Sequence, residues 1–162
     1  MDLAEKVLAE IKEEDCIELI KELVPAGQPA AEDPLDPDEL PGSEEGASAL
    51  IAQKLIEMGL QVEMHEGAIG RPNVVGKLEG KANKPTLILN DHIDTYPAGD
   101  PLAWTMTNFN PYNPTVHERR IYGRGTSDTR GNMACQLMAI KALRSAGVEL
   151  KGQLIAAYTV DE

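Results

Sequence analysis

The segment Asn90-Asp91-His92-Ile93-Asp94 carries an imidazole and two carboxylates within five residues. Neutral imidazole is a common ligand for zinc. A carboxylate two positions on lies on the same side of an extended chain. From there it can accept the N–H of the other ring nitrogen and fix the tautomer. The preceding apolar run, Thr86-Leu87-Ile88-Leu89, reads as a buried strand, and Pro97-Ala98-Gly99-Asp100 reads as a turn. His92 and Asp94 are thus expected where a strand runs out into a loop, the edge at which open α/β sheets bind ligands. On its own, His-x-Asp is weak evidence and marks a surface turn with an incidental histidine more often than a metal or catalytic site.

Two further acidic ends follow. The stretch Gly123-Arg124-Gly125-Thr126-Ser127-Asp128-Thr129-Arg130-Gly131 puts Asp128 just before a predicted helix over 131–146. Its glycines suggest close backbone approach or positive φ. It lacks the third glycine and the leading strand of a dinucleotide loop. A plain N-cap is the alternative role for Asp128. Leu154–Val160 reads as a strand that ends on Asp161-Glu162. A parallel sheet would bring His92/Asp94, Asp128 and Asp161/Glu162 to one rim. Histidine and carboxylate donors without thiolates suit zinc, manganese or cobalt in a hydrolytic role. One aspartate between two ions about 3.5–4 Å apart could hold a shared hydroxide. A glutamate outside the ligand shell could carry the proton from water to a leaving amine.

The elements that must position these groups follow from periodicity. Leu3, Val7, Leu8 and Ile11, then Cys16, Leu19, Ile20 and Leu23, form an apolar stripe over 2–24, with Asp15 as a cap for a second short helix. Residues 25–43 alternate proline with Asp and Glu and read as an acidic loop. Ser43 is the expected N-cap of a helix to Met58, closed by Gly59. Leu60, Val62 and Met64 mark a half-exposed strand with His65 on its polar side, and Pro72–Leu78 the next strand. Residues 97–114 read as loop, packed down by Trp104 and Phe109. Thr115–Tyr122 reads as a hairpin with His117 at its tip. Ala134, Leu137, Met138 and Leu143 form the buried side of the helix at 131–146, which Gly147 ends.

Length and composition set outer bounds. With 162 residues the chain can bury one core. The formal net charge of −12 disfavours nucleic acid and anionic membranes as partners. No run approaches the roughly 18 apolar residues of a membrane helix, and the charged N-terminus is not a signal peptide. A cytoplasmic location is expected, with Cys16 and Cys135 as buried, reduced thiols.

At this point the motifs resemble those of a known family. Asn90–Thr95 through Gly99-Asp100 is similar to the His-x-Asp segment of the di-zinc amidohydrolases and metallopeptidases that include acetylornithine deacetylase, succinyl-diaminopimelate desuccinylase, aminoacylase and the glutamate carboxypeptidases. Ile121–Gly131 resembles the second signature, and Thr159-Val160-Asp161-Glu162 the start of the third. The helix at 43–58, Arg71–Val75 and Trp104 occur in the family's usual order. Asp91, where the family usually has Gly, and Thr129-Arg130, where Met-Lys is common, depart from it on loops.

The resemblance implies an α/β fold: a three-layer sandwich with a mostly parallel central sheet, like the catalytic domain of zinc exopeptidases. It implies that His92 ligates a metal and Asp128 bridges two, that Asp94 orients His92, and that Glu162 is the general base. It further implies two Zn2+ per complete site (Co2+ or Mn2+ being possible), a small N-acyl amino acid or peptide substrate, and a homodimer for the full-length form. The chain is read as the N-terminal portion of such a catalytic domain, without the lid or dimerisation domain. By itself it is expected to bind metal weakly and not to turn over substrate. The competing readings are a non-catalytic remnant of the same fold and a phosphate-binding protein using the Gly123–Gly131 loop. Arg124 and Arg130 are expected to brace loops rather than reach a substrate carboxylate.

Overall fold

The computed structural model describes residues 2–27, 44–82 and 84–161. Its helices are α1 (Leu3–Leu8), α2 (Glu13–Ala26), α3 (Glu45–Glu57) and α4 (Arg130–Ser145). Its strands are β1 (Gln61–Ala68), β2 (Arg71–Leu78), β3 (Thr86–His92), β4 (Thr115–His117), β5 (Arg120–Tyr122) and β6 (Gln153–Thr159). The order across the main sheet is β1-β2-β6-β3, and β4-β5 form a separate hairpin. No helix among the described residues is long and apolar enough to cross a membrane.

The main sheet is mixed rather than mostly parallel. β3 runs parallel to β6, with Leu89 beside Ala156 and His92 beside Thr159. β1–β2 and β2–β6 are antiparallel. A tight turn at Ile69-Gly70, with Gly70 at φ 75°, joins β1 to β2, and a turn that short permits only an antiparallel pair. The β3-to-β6 connection is long enough to include α4, which is the crossover a parallel pair needs.

Alternation decides the core. Val74 and Leu78 of β2 and Leu154, Ala156 and Tyr158 of β6 point to one face. There they join Leu19, Leu23 and Val24 of α2, Ile51 and Leu55 of α3, and Met133, Leu137 and Ile140 of α4 in a single cluster. All three helices contribute to that one face. β3 is at the sheet edge, and Leu87 and Ile88 are 58% and 57% exposed. The expected burial of that strand therefore fails: its residues are exposed or at most half-buried, and the chain becomes buried only at Ile93, just past its end.

Local signals were mostly obeyed. Gly59 (φ 83°) and Gly147 (φ 67°) follow the C-caps of α3 and α4. The β4–β5 turn at Glu118-Arg119 has both residues at positive φ, which matches the twist of a tight hairpin, and His117 is exposed there. The apolar stripe at the N-terminus splits into α1 and α2. Lys12, not Asp15, is the N-cap of α2, and α2 continues through Pro25 to Ala26. The proposed Ser43 cap and residues 28–43 of the expected acidic loop lie outside the described residues.

Candidate metal centre

β3 delivers His92 at its last position. Ile93 N donates to Thr159 O at 2.6 Å, which binds the exit of β3 to the end of β6. His92 Nδ1 lies 3.0 Å from the backbone carbonyl of Asp94. A carbonyl can only accept, so this contact assigns the ring proton to Nδ1 and leaves the Nε2 lone pair facing outward. The Asp94 carboxylate is farther from the ring, at 3.7 Å from Nδ1. Its Oδ1 instead accepts from Asp161 N at 3.1 Å. Asp94 thus meets the ring mainly through its backbone and ties the start of the Asp161 turn through its side chain.

Asp128 reaches the same place from the other side of the crossover. Its Oδ1 lies 3.1 Å from His92 Nε2, and its side chain is 79% exposed. It is not the cap of α4: that position is Thr129, and no side chain caps the helix there. Thr129 Oγ1 instead donates to His92 O at 2.7 Å. Arg130, which is 1% exposed, donates from Nη2 to Ile93 O at 3.4 Å. The same guanidinium donates from Nη1 to Val24 O at 2.7 Å and from Nη2 to Gly27 O at 3.1 Å. It therefore satisfies the carbonyl end of α2, where Pro25 interrupts the helical bonding. Burial pushes the Arg130 pKa down to about 10, so it stays charged at neutral pH.

The glycines of this loop permit the close approach. Gly125 has φ 81°, and a Cβ on it would stand 2.9 Å from Thr95 Cγ2. A Cβ on Gly131 would collide with the Thr126 carbonyl. The Arg130 amide donates to Gly125 O and the Thr126 amide to Gly123 O, so neither is offered to an anion. Arg124 lies over the Trp104 ring, 5.0 Å from its centroid. Trp104 Nε1 donates to Ala98 O at 2.9 Å. Both residues brace the loop as expected, whereas Phe109 is 51% exposed.

The donor pair was tested against a divalent ion. With Nε2 unprotonated, His92 Nε2 and Asp128 Oδ1 are two acceptors face to face, an arrangement that a proton or a metal cation between them relieves. Two ligands of one tetrahedral zinc stand about 3.4 Å apart, close to the 3.1 Å observed. The pair fits. Among the described residues no group of three or more His, Cys, Asp or Glu side chains gathers around such a point, and Glu162 lies outside them. Sequence reasoning missed the residues that hold this rim together. Arg71 binds Glu44 and Asp161, each at 3.1 Å, and Asn73 Oδ1 accepts from Val160 N at 2.9 Å. The Arg71-Pro72-Asn73 run was the available signal.

The helix-backed sheet thus carries a histidine–carboxylate pair at its rim. Over residues 88–162 the chain matches Peptidase family M20/M25/M40, and it belongs to that family. It is 38% identical over 120 residues to an N-formyl-4-amino-5-aminomethyl-2-methylpyrimidine deformylase of Bacillus subtilis, covering 73% of this chain and 28% of that protein. It is 35% identical over 94 residues to an uncharacterized metallohydrolase of Methanocaldococcus jannaschii, covering 58% of this chain and 22% of the other. Human carnosine dipeptidase 1 shares the fold, with a TM-score of 0.74 at 21% identity over 97% of this chain and 34% of that one. The chain thus spans only about a fifth to a third of the length of these proteins. The family and the metallohydrolase relative imply a divalent metal.

Proposed function

We propose that this chain supplies the N-terminal part of the catalytic domain of a metal-dependent hydrolase that cleaves amide bonds in N-acyl amino acids or small peptides. The observation that carries this reading is the 3.1 Å approach of His92 Nε2 to Asp128 Oδ1. The deformylase and dipeptidase names describe related proteins that act on a small formamide and a small peptide, which supports small amides as the substrate class. His92 and Asp128 would hold the metal, with Asp128 shared between two ions. Zinc is the first expectation, with cobalt or manganese as alternatives. Bound there, the ions would polarise the scissile carbonyl and acidify the attacking water. Asp94 keeps the His92 proton on Nδ1 and so keeps Nε2 available. Glu162 takes the proton from water and passes it to the leaving amine nitrogen. The products are a carboxylate and an amine.

The described residues offer two ligands, so this 162-residue stretch alone should hold metal weakly and turn over no substrate. Titration of the purified chain with Co2+, followed by visible absorption and calorimetry, tests the pair. Saturable binding that drops on the order of tenfold or more in both His92→Ala and Asp128→Ala is expected. Binding indifferent to both substitutions would overturn the site. Metal-dependent release of amine from a panel of N-acetyl amino acids would overturn the statement that the stretch is inactive alone.

A further inference from the structure

Among the described residues β3 has no strand on its outer side, and side chains take the place of one. Ile93 N donates to Thr159 O of β6, so by alternation the backbone groups of Asn90 and His92 turn away from β6. Three of these groups are met by side chains. His92 N donates to Asp91 Oδ1 at 3.0 Å. His92 O accepts from Thr129 Oγ1 at 2.7 Å. Asn90 O accepts from Gln136 Nε2 at 3.4 Å, and the same nitrogen reaches Asp91 Oδ2 at 3.3 Å. A carbonyl and a carboxylate only accept, so the Gln136 amide turns its NH2 toward them. Of the two cysteines expected to be buried, Cys16 is half-buried and Cys135, beside Gln136, is exposed, while Leu137 on the other side is buried. Gln136 therefore sits at the margin of the contact between α4 and β3.

We propose that Asp91 is a positioning residue for the His92–Asp128 pair, bridging the His92 amide to Gln136 so that β3 and α4 hold the two side chains at a fixed span. The members of that pair arrive on different elements: His92 is the last residue of β3, and Asp128 stands just before α4. Their separation is set by how α4 lies against β3. Thr129 and Arg130 hold the start of α4 to His92 and Ile93. Gln136 holds the helix again farther along, through Asp91 and Asn90. Two attachments spaced along one helix fix its direction, where a single one would let it pivot. The family resemblance expects glycine at position 91. A glycine there would leave Gln136 with Asn90 O alone and the His92 N–H with no acceptor among the described residues. Asp91 also lies within β3 and not on a loop as expected. Its carboxylate acts by bridging two donors and does not need to touch an ion. What the clasp does for metal rests on the hydrolase reading above; the clasp itself does not.

The test compares the 162-residue chain with its Asp91→Gly, Asp91→Asn and Gln136→Ala variants. Co2+ affinity is read by calorimetry and visible absorption, and hydrogen exchange of the His92 amide is read by NMR without metal. Asp91→Gly and Gln136→Ala should each weaken Co2+ binding by roughly tenfold, as loss of a group that orients a ligand does. The double variant should bind no more weakly than Asp91→Gly alone, because both residues act through one bridge. Asp91→Asn keeps an oxygen for the His92 amide and an NH2 for the oxygen of a turned Gln136 side chain, so it should retain most of the affinity. Unchanged affinity in Asp91→Gly would overturn the proposal. So would an equal loss in Asp91→Asn, which would make the charge at position 91, and not the bridge, the cause. Exchange of the His92 amide should quicken in Gln136→Ala, although that substitution does not touch the amide. This second readout separates the two claims: Co2+ binding indifferent to His92→Ala would remove the metal reading, whereas unaltered His92 exchange in Gln136→Ala would remove the clasp. Asp91→Asn and Gln136→Ala keep the test decisive if the glycine variant folds poorly.

Discussion

Arg71 Nη1 stands 3.1 Å from Asp161 Oδ1, across 90 residues of sequence. The same guanidinium turns its Nε to Glu44 Oε2, also at 3.1 Å. The Arg71 and Glu44 side chains are 13% and 9% exposed, while that of Asp161 is 73% exposed. One cation therefore joins the N-cap of α3 to the end of β6, the turn that leads to Glu162. Burial by itself would lower the Arg71 pKa. Its hydrogen bond and charge contact with Glu44, and then those with Asp161, outweigh that burial and leave the pKa raised.

Replacing Arg71 separates the two halves of this tie. Arg71→Met leaves the Glu44 carboxylate nearly buried without its counter-charge, so the variant should lose about 3 kcal/mol of stability, measured as a shift in the urea midpoint at constant slope. The loss comes from the stranded charge. Adding Glu44→Gln to Arg71→Met should therefore recover a good part of it. A double variant no more stable than Arg71→Met would show that Glu44 is not what the arginine neutralises. The Asp161 contact is exposed and contributes little by itself, so Asp161→Asn should stay within about 0.5 kcal/mol of the unsubstituted protein.

Asp94 has two attachments with different consequences. Its backbone carbonyl holds the Nδ1 proton of His92, and its carboxylate holds the amide of Asp161. Asp94→Asn keeps an oxygen for the amide and removes the charge 3.7 Å from the ring. Co2+ affinity should fall by roughly tenfold, the lower end of what an orienting partner is worth. Stability should change by less than about 1 kcal/mol, because a neutral acceptor still serves the Asp161 amide. Unchanged Co2+ affinity would mean that the backbone carbonyl alone orients His92.

Much of the helix and strand order was legible because it is local. The apolar spacing of Ile51 and Leu55 and of Leu137 and Met138, and the glycines after α3 and α4, set those helices without long-range help. The convergence of His92 with Asp128 was legible from residue type, and it followed once both were placed at the same rim. What periodicity could not supply was partnership between distant segments. An apolar run such as Leu87-Ile88 looks the same in a central strand as at an edge. Arg130 looked like a loop brace, and only the packed structure shows that it caps α2 through Val24 and Gly27. The mixed direction of the sheet was not legible either, because the two-residue turn at Ile69-Gly70 that makes β1–β2 antiparallel carries a weak signal.

Tyr158 offers a prediction with a defined pH window. The residue is fully buried on β6, and its hydroxyl has no hydrogen-bond partner among the described residues. Burial, and secondarily the charge of Asp91, raises its phenol well above the ordinary value of about 10. In the unfolded chain the phenol ionises near that ordinary value, whereas the folded chain keeps its proton. Above pH 10 the folded state therefore binds more protons than the unfolded one, and stability falls as pH rises, by about 1.4 kcal/mol per unit. Below pH 10 both states are protonated and the contribution is flat. Tyr158→Phe removes the ionisation and the unpartnered hydroxyl together. The variant should be more stable at pH 7 by about 1 kcal/mol, and its advantage should widen between pH 10 and 11. Arg130, also shifted by burial, is present in both proteins and cancels in the difference. Urea denaturation of the pair at pH 7, 10 and 11 reads this directly. A constant difference across the three would show that the phenol does not ionise differently in the two states, and a less stable variant at pH 7 would show that the hydroxyl has a partner in solution.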